Sequence, residues 1–486
     1  MTAANPLREP AGSMIGRIRP GWVVGALACV ATHCTLTNRI DVCDRPRPAP
    51  HQINVRTEGD QLVATNRALA PMPDGRALLA FVSDVSASDV DDEVRVLRID
   101  GAGQPAITCE NEREFTLWPD LIHPQDGHPI AGVTLSAPEA LADAGLLVWA
   151  TYEPSDTSYA PEILALPYDG RSGCLFNGAS RATLGGVPAG GRFTDLEVVG
   201  TGTDEFLVIW SQAAAGALAG QSFARAFHLS LGTPSWLPVQ DVSGTPVTSA
   251  PAEVRFGPGS TPLFAVTTLG GGRIAIASLA SLTLEPQLAV VDTAMRVLVA
   301  PFSIGAAAGM VSAIGLDVDV AFDGSQLLVV WSTADAAGHR EVMGRLLTPE
   351  GDFLRGPLSH AAEPFVIPIA DPDDHVLPSI AALPGGGFAV AWVREQPGAG
   401  SAPNRSIELG VITPAGDRAF LDPSCDRREV AASGALPGSH TRPSIVVLPD
   451  GSVLVAWSAI DAGGADVSGA AIYAVGMASR DLLPTR

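Results

Sequence analysis

The chain contains no lysine: every one of the 30 basic residues among its 486 is an arginine. That excludes a Walker-type phosphate loop, whose lysine reaches the terminal phosphates, and any Schiff-base chemistry on a lysine amine. Positive charge of any kind is scarce, because 52 acidic residues leave a net charge of −22. Such a chain repels nucleic-acid phosphates and anionic lipid headgroups, so no nucleic-acid partner is expected. The six cysteines, Cys29, Cys34, Cys43, Cys109, Cys174 and Cys425, include no Cys-x-x-Cys pair, which removes the usual zinc spacing. Only four tyrosines occur. What is plentiful is glycine, 51 residues, and proline, 40, against a 46% hydrophobic background. This turn-rich balance points to an all-β chain and away from long helical bundles.

The N-terminal stretch reads as an export segment. Arg17 and Arg19 precede "PGWVVGALAC", an apolar run ending at Ala28 and Cys29. At that length it is too short to span a bilayer, which takes about 20 residues. Its tail, Ala26-Leu27-Ala28-Cys29, resembles the bacterial lipobox, whose cysteine becomes the lipidated first residue of a lipoprotein. Residues 1–28 are therefore expected to be a lipoprotein-like signal with Cys29 the lipidation position; plain secretion by an ordinary signal peptidase is the alternative. Residues 29–50, with "DVCDRPRPAP", form a Pro-rich linker, and the folded body runs over 51–486. An exported body makes disulfides expected, with Cys43–Cys425 and Cys109–Cys174 the preferred pairs.

A tandem repeat organises that body. "RPSIVVLPDGSVLVAW" at 442–457 has a near copy, "LPSIAALPGGGFAVAW", at 377–392. The same pattern of apolar strand, glycine turn and apolar strand ending in an aromatic recurs with Phe81, Trp149, Trp210, Trp331, Trp392 and Trp457. In a degenerate copy Thr267 takes the aromatic position. Successive positions lie 68, 61, 57, 64, 61 and 65 residues apart, a period near 62. Each unit adds a third strand such as "EVMGRLLTPEG" and a less regular fourth. Seven units of four antiparallel strands make a seven-bladed β-propeller, because one blade cannot cover both of its faces and radial stacking covers them. The seventh unit ends soon after its third strand. The spacing therefore predicts that "HQINVRTEG", 51–59, supplies its outer strand and closes the ring.

These units resemble the repeats of bacterial exported and surface propellers, similar in pattern to the sialidase-like and integrin-α-like families. The resemblance implies a scaffold and leaves the chemistry open. The acids fall in long loops, where Asp89, Asp91 and Asp92, and Asp371, Asp373 and Asp374, are candidate oxygen ligands for Ca²⁺. Solvated acids that aid solubility are the plainer reading of both clusters. Two functions follow. The first is a non-enzymatic, monomeric binding scaffold, exported to the periplasm, the outer membrane as a lipoprotein, or the cell exterior, that offers an acidic loop face to a protein or glycan partner. The alternative is an extracellular polysaccharide hydrolase or lyase with its site in the propeller funnel. An enzyme should bring an Arg, several carboxylates and an aromatic together at the central channel. Most inner-strand residues are apolar; Asp195, Glu197, Asp317 and Asp319 are the exceptions.

Overall fold

The protein was analysed as a computed structural model. It describes residues 49–53, 61–63, 67–84, 92–106, 114–116, 130–136, 144–151, 162–174, 181–186, 192–202, 204–213, 220–230, 233–255, 260–280, 285–305, 310–312, 317–355, 363–368, 371–396, 404–419, 429–433, 439–460 and 470–478. Residues 1–48 with Cys29, Asp89 and Asp91, and Cys43, Cys109 and Cys425 lie outside these. Cys174 is disulfide-bonded.

The described residues form strands and turns with no helix, arranged as seven antiparallel sheets of four or five strands that correspond to seven blades, and a separate two-stranded ladder of Val239–Gln240 with Pro246–Val247. Blade five shows the plan. Its inner strand Val318–Phe322 pairs with Leu327–Asp335, which pairs with Arg340–Leu347 and then with the short outer strand Phe365–Val366. The last blade takes its outer strand from the start of the body, as the spacing predicts: His51 pairs with Ala474 and Gln52 with Tyr473. Ile53 N then donates to the carbonyl of Ile472 at 2.9 Å.

Tight turns join first to second strands. In blade seven Leu448 N donates to Ser452 O and Gly451 N to Leu448 O, and Gly451 sits at φ 82°, which only glycine adopts without strain. The Asp450 carboxylate caps the turn by accepting from Ser452 N at 2.9 Å. Pro-Asp-Gly thus encodes the reversal that the repeat suggests.

Seven hydrophobic clusters account for the ring, one at each interface between consecutive blades, including that between blades seven and one. The repeated aromatic is the wedge. Trp149, Trp210, Trp331, Trp392, Trp457 and Phe81 are each buried against the preceding blade. Burying such a ring removes roughly 150–250 Å² from water. Blade four departs from the reading that gave Thr267 this slot. Thr267 lies on the inner strand Ser260–Gly270, and the second strand is Arg273–Ala280. Trp331 pairs with Met343, five residues before the turn opened by Thr348; Ser278 pairs with Gln287, five before Asp292. Ser278 therefore occupies the aromatic slot. Its cross-strand partner is Phe264, which fills the interface between blades three and four in its place.

Serines of the repeat add polar ties. Ser444 Oγ accepts from Leu69 N at 3.1 Å and Ser458 Oγ from Val63 N at 2.7 Å, joining blade seven to blade one. At this closing interface a Cβ placed on Gly476 would meet the carbonyl oxygen of Gly101 at 2.0 Å. Gly476→Ala is accordingly expected to lower stability by ~1–3 kcal/mol, the cost of overpacking a tight contact. The measurement is a chemical denaturation midpoint. Gly385→Ala, where nothing lies within 4 Å, is expected to leave the midpoint unchanged.

Candidate functional site

The inner strands run along the central channel, and four of the seven blades place charge there. Asp195 and Glu197 lie two residues apart on the inner strand Arg192–Gly202 of blade three, so they share one strand face. Asp317 and Asp319 hold the matching positions in blade five, since Asp195 pairs with Ser211 just after Trp210 and Ser332 N donates to Asp317 O just after Trp331. Blade one contributes Arg67 and blade seven Arg442.

Arg67 spans the channel. Its Nη2 donates to Asp319 Oδ1 at 2.8 Å, to Val320 O at 2.8 Å and to Val266 O at 3.2 Å, and its Nε lies 3.9 Å from Glu197 Oε2. Arg442 pairs with Asp317. Asp319 Oδ1 also accepts from Val320 N at 2.8 Å, and its Oδ2 accepts from Ile380 N at 3.0 Å, which ties blade five to blade six. Asp195 does the same between blades three and four, accepting from Leu196 N at 2.9 Å and Phe264 N at 2.8 Å. These bonds fix the carboxylates in position.

Burial governs the protons. It pushes Asp195 up to about 6, against the backbone donors and Arg442 that favour the charged form. Glu197 is only 2% exposed, and burial carries it well above the ordinary glutamate value; Asp195 and Asp319 push the same way, with Arg67 opposing. Glu197 Oε2 accepts no hydrogen bond. Burial pulls Arg67 down, but Asp319 and Glu197 outweigh it and hold Arg67 above its usual value.

Arg67 and Glu197 face a cavity of about 380 Å³ whose walls come from all seven inner strands, with Thr267, Thr268 and Phe322 among them. Arginine, carboxyl groups and an aromatic therefore converge on the axis. The sequence singled out the four carboxyls but neither arginine. Arg442 was visible in principle: it heads the sixteen-residue repeat where the other copy has Leu377, so it breaks an apolar pattern on the inner strand.

The loop acids are placed elsewhere. Asp92 opens the strand Asp92–Ile99. Asp371 and Asp373 both pair with Arg394, at 3.1 and 2.6 Å, and Asp374 pairs with Arg340 at 2.9 Å. Glu395 joins Arg340 to Arg405, and His375, fully buried, sits 3.2 Å from Glu341 across the boundary of blades five and six. Among the described residues no group of three or more His, Cys, Asp or Glu is arranged to hold a metal ion. Tyr473 stacks on Trp457 in the core. "GQSFA" at 220–224 is the start of the strand Gly220–Ser230.

No protein-family model and no curated protein matches the chain. Among solved structures it is similar to the polysaccharide lyase Uly1, with TM-score 0.47 and 10% identity over 90% of this chain and 93% of that one. It is also similar to an α-L-arabinanase of Penicillium chrysogenum, with TM-score 0.42 and 11% identity over 90% and 100%. The β-propeller domain of the trilobed protease of Pyrococcus furiosus gives 0.37 and 8% over 85% and 90%. These similarities go no further than propeller architecture.

Two outcomes test the channel electrostatics. Arg67→Met leaves Asp319 buried without its counter-charge and is expected to cost ~3–5 kcal/mol, part of which returns in the Arg67→Met, Asp319→Asn double variant. For Asp195, a raised value means that the folded state holds its proton longer than the unfolded one. Its contribution is complete below 3.8 and is lost as pH rises through about 6. Asp195→Asn should therefore gain stability relative to wild type across that window, read from denaturation midpoints at stepped pH.

Proposed function

We propose that the chain is a glycan-cleaving hydrolase with Glu197 as its general acid. The observation that supports this is the buried Glu197 carboxyl at the wall of the channel cavity, which burial favours in its protonated form and which has one oxygen making no hydrogen bond. A carboxylic acid that keeps its proton at neutral pH can give it to a leaving glycosidic oxygen. Asp195, on the same strand face, adds negative charge that helps Glu197 retain its proton. Asp319, itself fixed by two backbone donors, holds Arg67 in place at the cavity wall beside Glu197. The apolar segment ending at Cys29 supports a working place outside the cytoplasm, either secreted or lipid-anchored.

This reading takes precedence over a binding scaffold because three of the loop acids that support the scaffold, Asp371, Asp373 and Asp374, are already paired with Arg394 and Arg340. The test is release of reducing ends from a panel of neutral and acidic polysaccharides by the full chain. Glu197→Gln should lose ~10²–10⁴-fold in rate, the usual contribution of a general acid, with an unchanged melting temperature. An undiminished rate in that variant, or glycan binding with no cleavage by the wild type, overturns the proposal.

A further inference from the structure

We infer that the channel cavity is an end-on pocket, reached from the face of the tight turns, that accepts one neutral or amino-bearing terminal sugar unit and excludes uronates. This rests on the reading of Glu197 as the acid and adds to it a direction, a mode of attack and a substrate class.

Direction follows from where the walls lie along each strand. Pro71, Gly200, Thr268, Phe322, Ala382 and Val447 all line the cavity, and each stands at the end of its inner strand beside the turn to the second strand. Arg67, just before its strand, and Glu197 come earlier in the chain than any other lining residue from the same blades, so they form the inner end. The long loops, on which the acidic face was expected, lie at the other ends of these strands. Here the acid is presented toward the tight turns, which are short, hydrogen-bonded and glycine-pinned at Gly75, Gly386 and Gly451, so the mouth is preformed.

The mode of attack follows from Arg67. Its guanidinium starts from blade one and is bonded to Asp319 and two backbone carbonyls of blades four and five. A polymer cannot thread past this bar without breaking a buried ion pair, so only a chain terminus reaches Glu197. The cavity, at about 380 Å³, is near the lower end of the ~300–1,000 Å³ of small-molecule pockets. That suits a terminal unit more than a run of several.

The substrate class follows from charge. Four carboxyls, Asp195, Glu197, Asp317 and Asp319, meet two guanidiniums, and both guanidiniums are already engaged, Arg67 with Asp319 and Arg442 with Asp317. No free cation is left among the described channel residues to neutralise an incoming carboxylate, and the unpaired Asp195 remains to repel it. A neutral sugar can hydrogen-bond to Glu197 Oε2 and to the hydroxyls of Thr267 and Thr268, and an amino sugar gains attraction as well. Eliminative cleavage, which begins on a uronate, is disfavoured for the same reason.

The test has two arms. In the first, the Glu197→Gln chain, whose pocket is intact, is titrated with glucose, glucosamine and glucuronate and its melting temperature followed. Glucose and glucosamine should raise it and glucuronate should not, and Thr268→Trp, placed at the mouth, should abolish the rise; Thr267→Trp serves if that variant fails to fold. In the second arm, wild type acts on neutral oligosaccharides labelled at the reducing end, and terminal units should be released stepwise. Stabilisation by glucuronate equal to that by glucose, or a rise insensitive to both tryptophan variants, overturns the pocket assignment. Internal fragments as first products overturn end-on attack while leaving Glu197 as the acid. Selective, tryptophan-sensitive binding with no cleavage of any oligosaccharide supports the pocket and overturns the hydrolase reading.

Discussion

Each blade is a four-stranded sheet with two apolar faces, and every other feature depends on covering both. A flat stack would leave two faces bare at its ends, so the arrangement must close on itself, and the seven interface clusters do this without an exposed terminus. The aromatic wedge sets the angle between neighbours by keeping a large ring at one fixed depth in each interface. With the angle fixed, the inner strands are held at the edge of a channel whose width is no longer free to vary. That rigidity allows a single arginine side chain from blade one to reach acceptors on blades four and five.

The channel inverts the usual economy of a protein interior. Four largely buried carboxyls and two half-buried guanidiniums sit in a ring otherwise lined mainly by valine, alanine, isoleucine and leucine. Burial of this kind is disfavoured unless each charge finds partners, and here the partners are supplied largely by backbone N–H groups of the adjacent blade and by the two arginines. Glu197 is the carboxyl with the least compensation, and it lies on the cavity wall beside Arg67. At the boundary of blades five and six the opposite holds: Asp371, Asp373 and Asp374 are each matched by an arginine, a network that fastens loops and strands together.

The architecture was legible because the wedge must recur. Trp331, Trp392 and Trp457 sit in near-identical sentences, and the period they set led to the correct number of blades and to the closing strand at His51–Gln52. Legibility failed where the physics could be satisfied in a second way. In blade four the aromatic moved across the ladder from the slot of Ser278 to Phe264, and a search for a strand ending in an aromatic then slipped onto Thr267. The site was half legible. Asp195, Glu197, Asp317 and Asp319 stand out as charges on apolar inner strands, but Arg67 precedes its strand in an irregular segment and nothing local announces that it crosses to blade five. Long-range pairs of that kind leave no spacing in a sequence to be read.

The order of the blades along the chain has a consequence for the site. The acids come from blades three and five in the middle of the body, while their arginines come from blades one and seven, which meet only when the strand at His51–Gln52 pairs with the last blade. The strand pairing that closes the ring therefore also holds together the two blades that supply the site's arginines, so closure and the balance of charge in the channel depend on one contact.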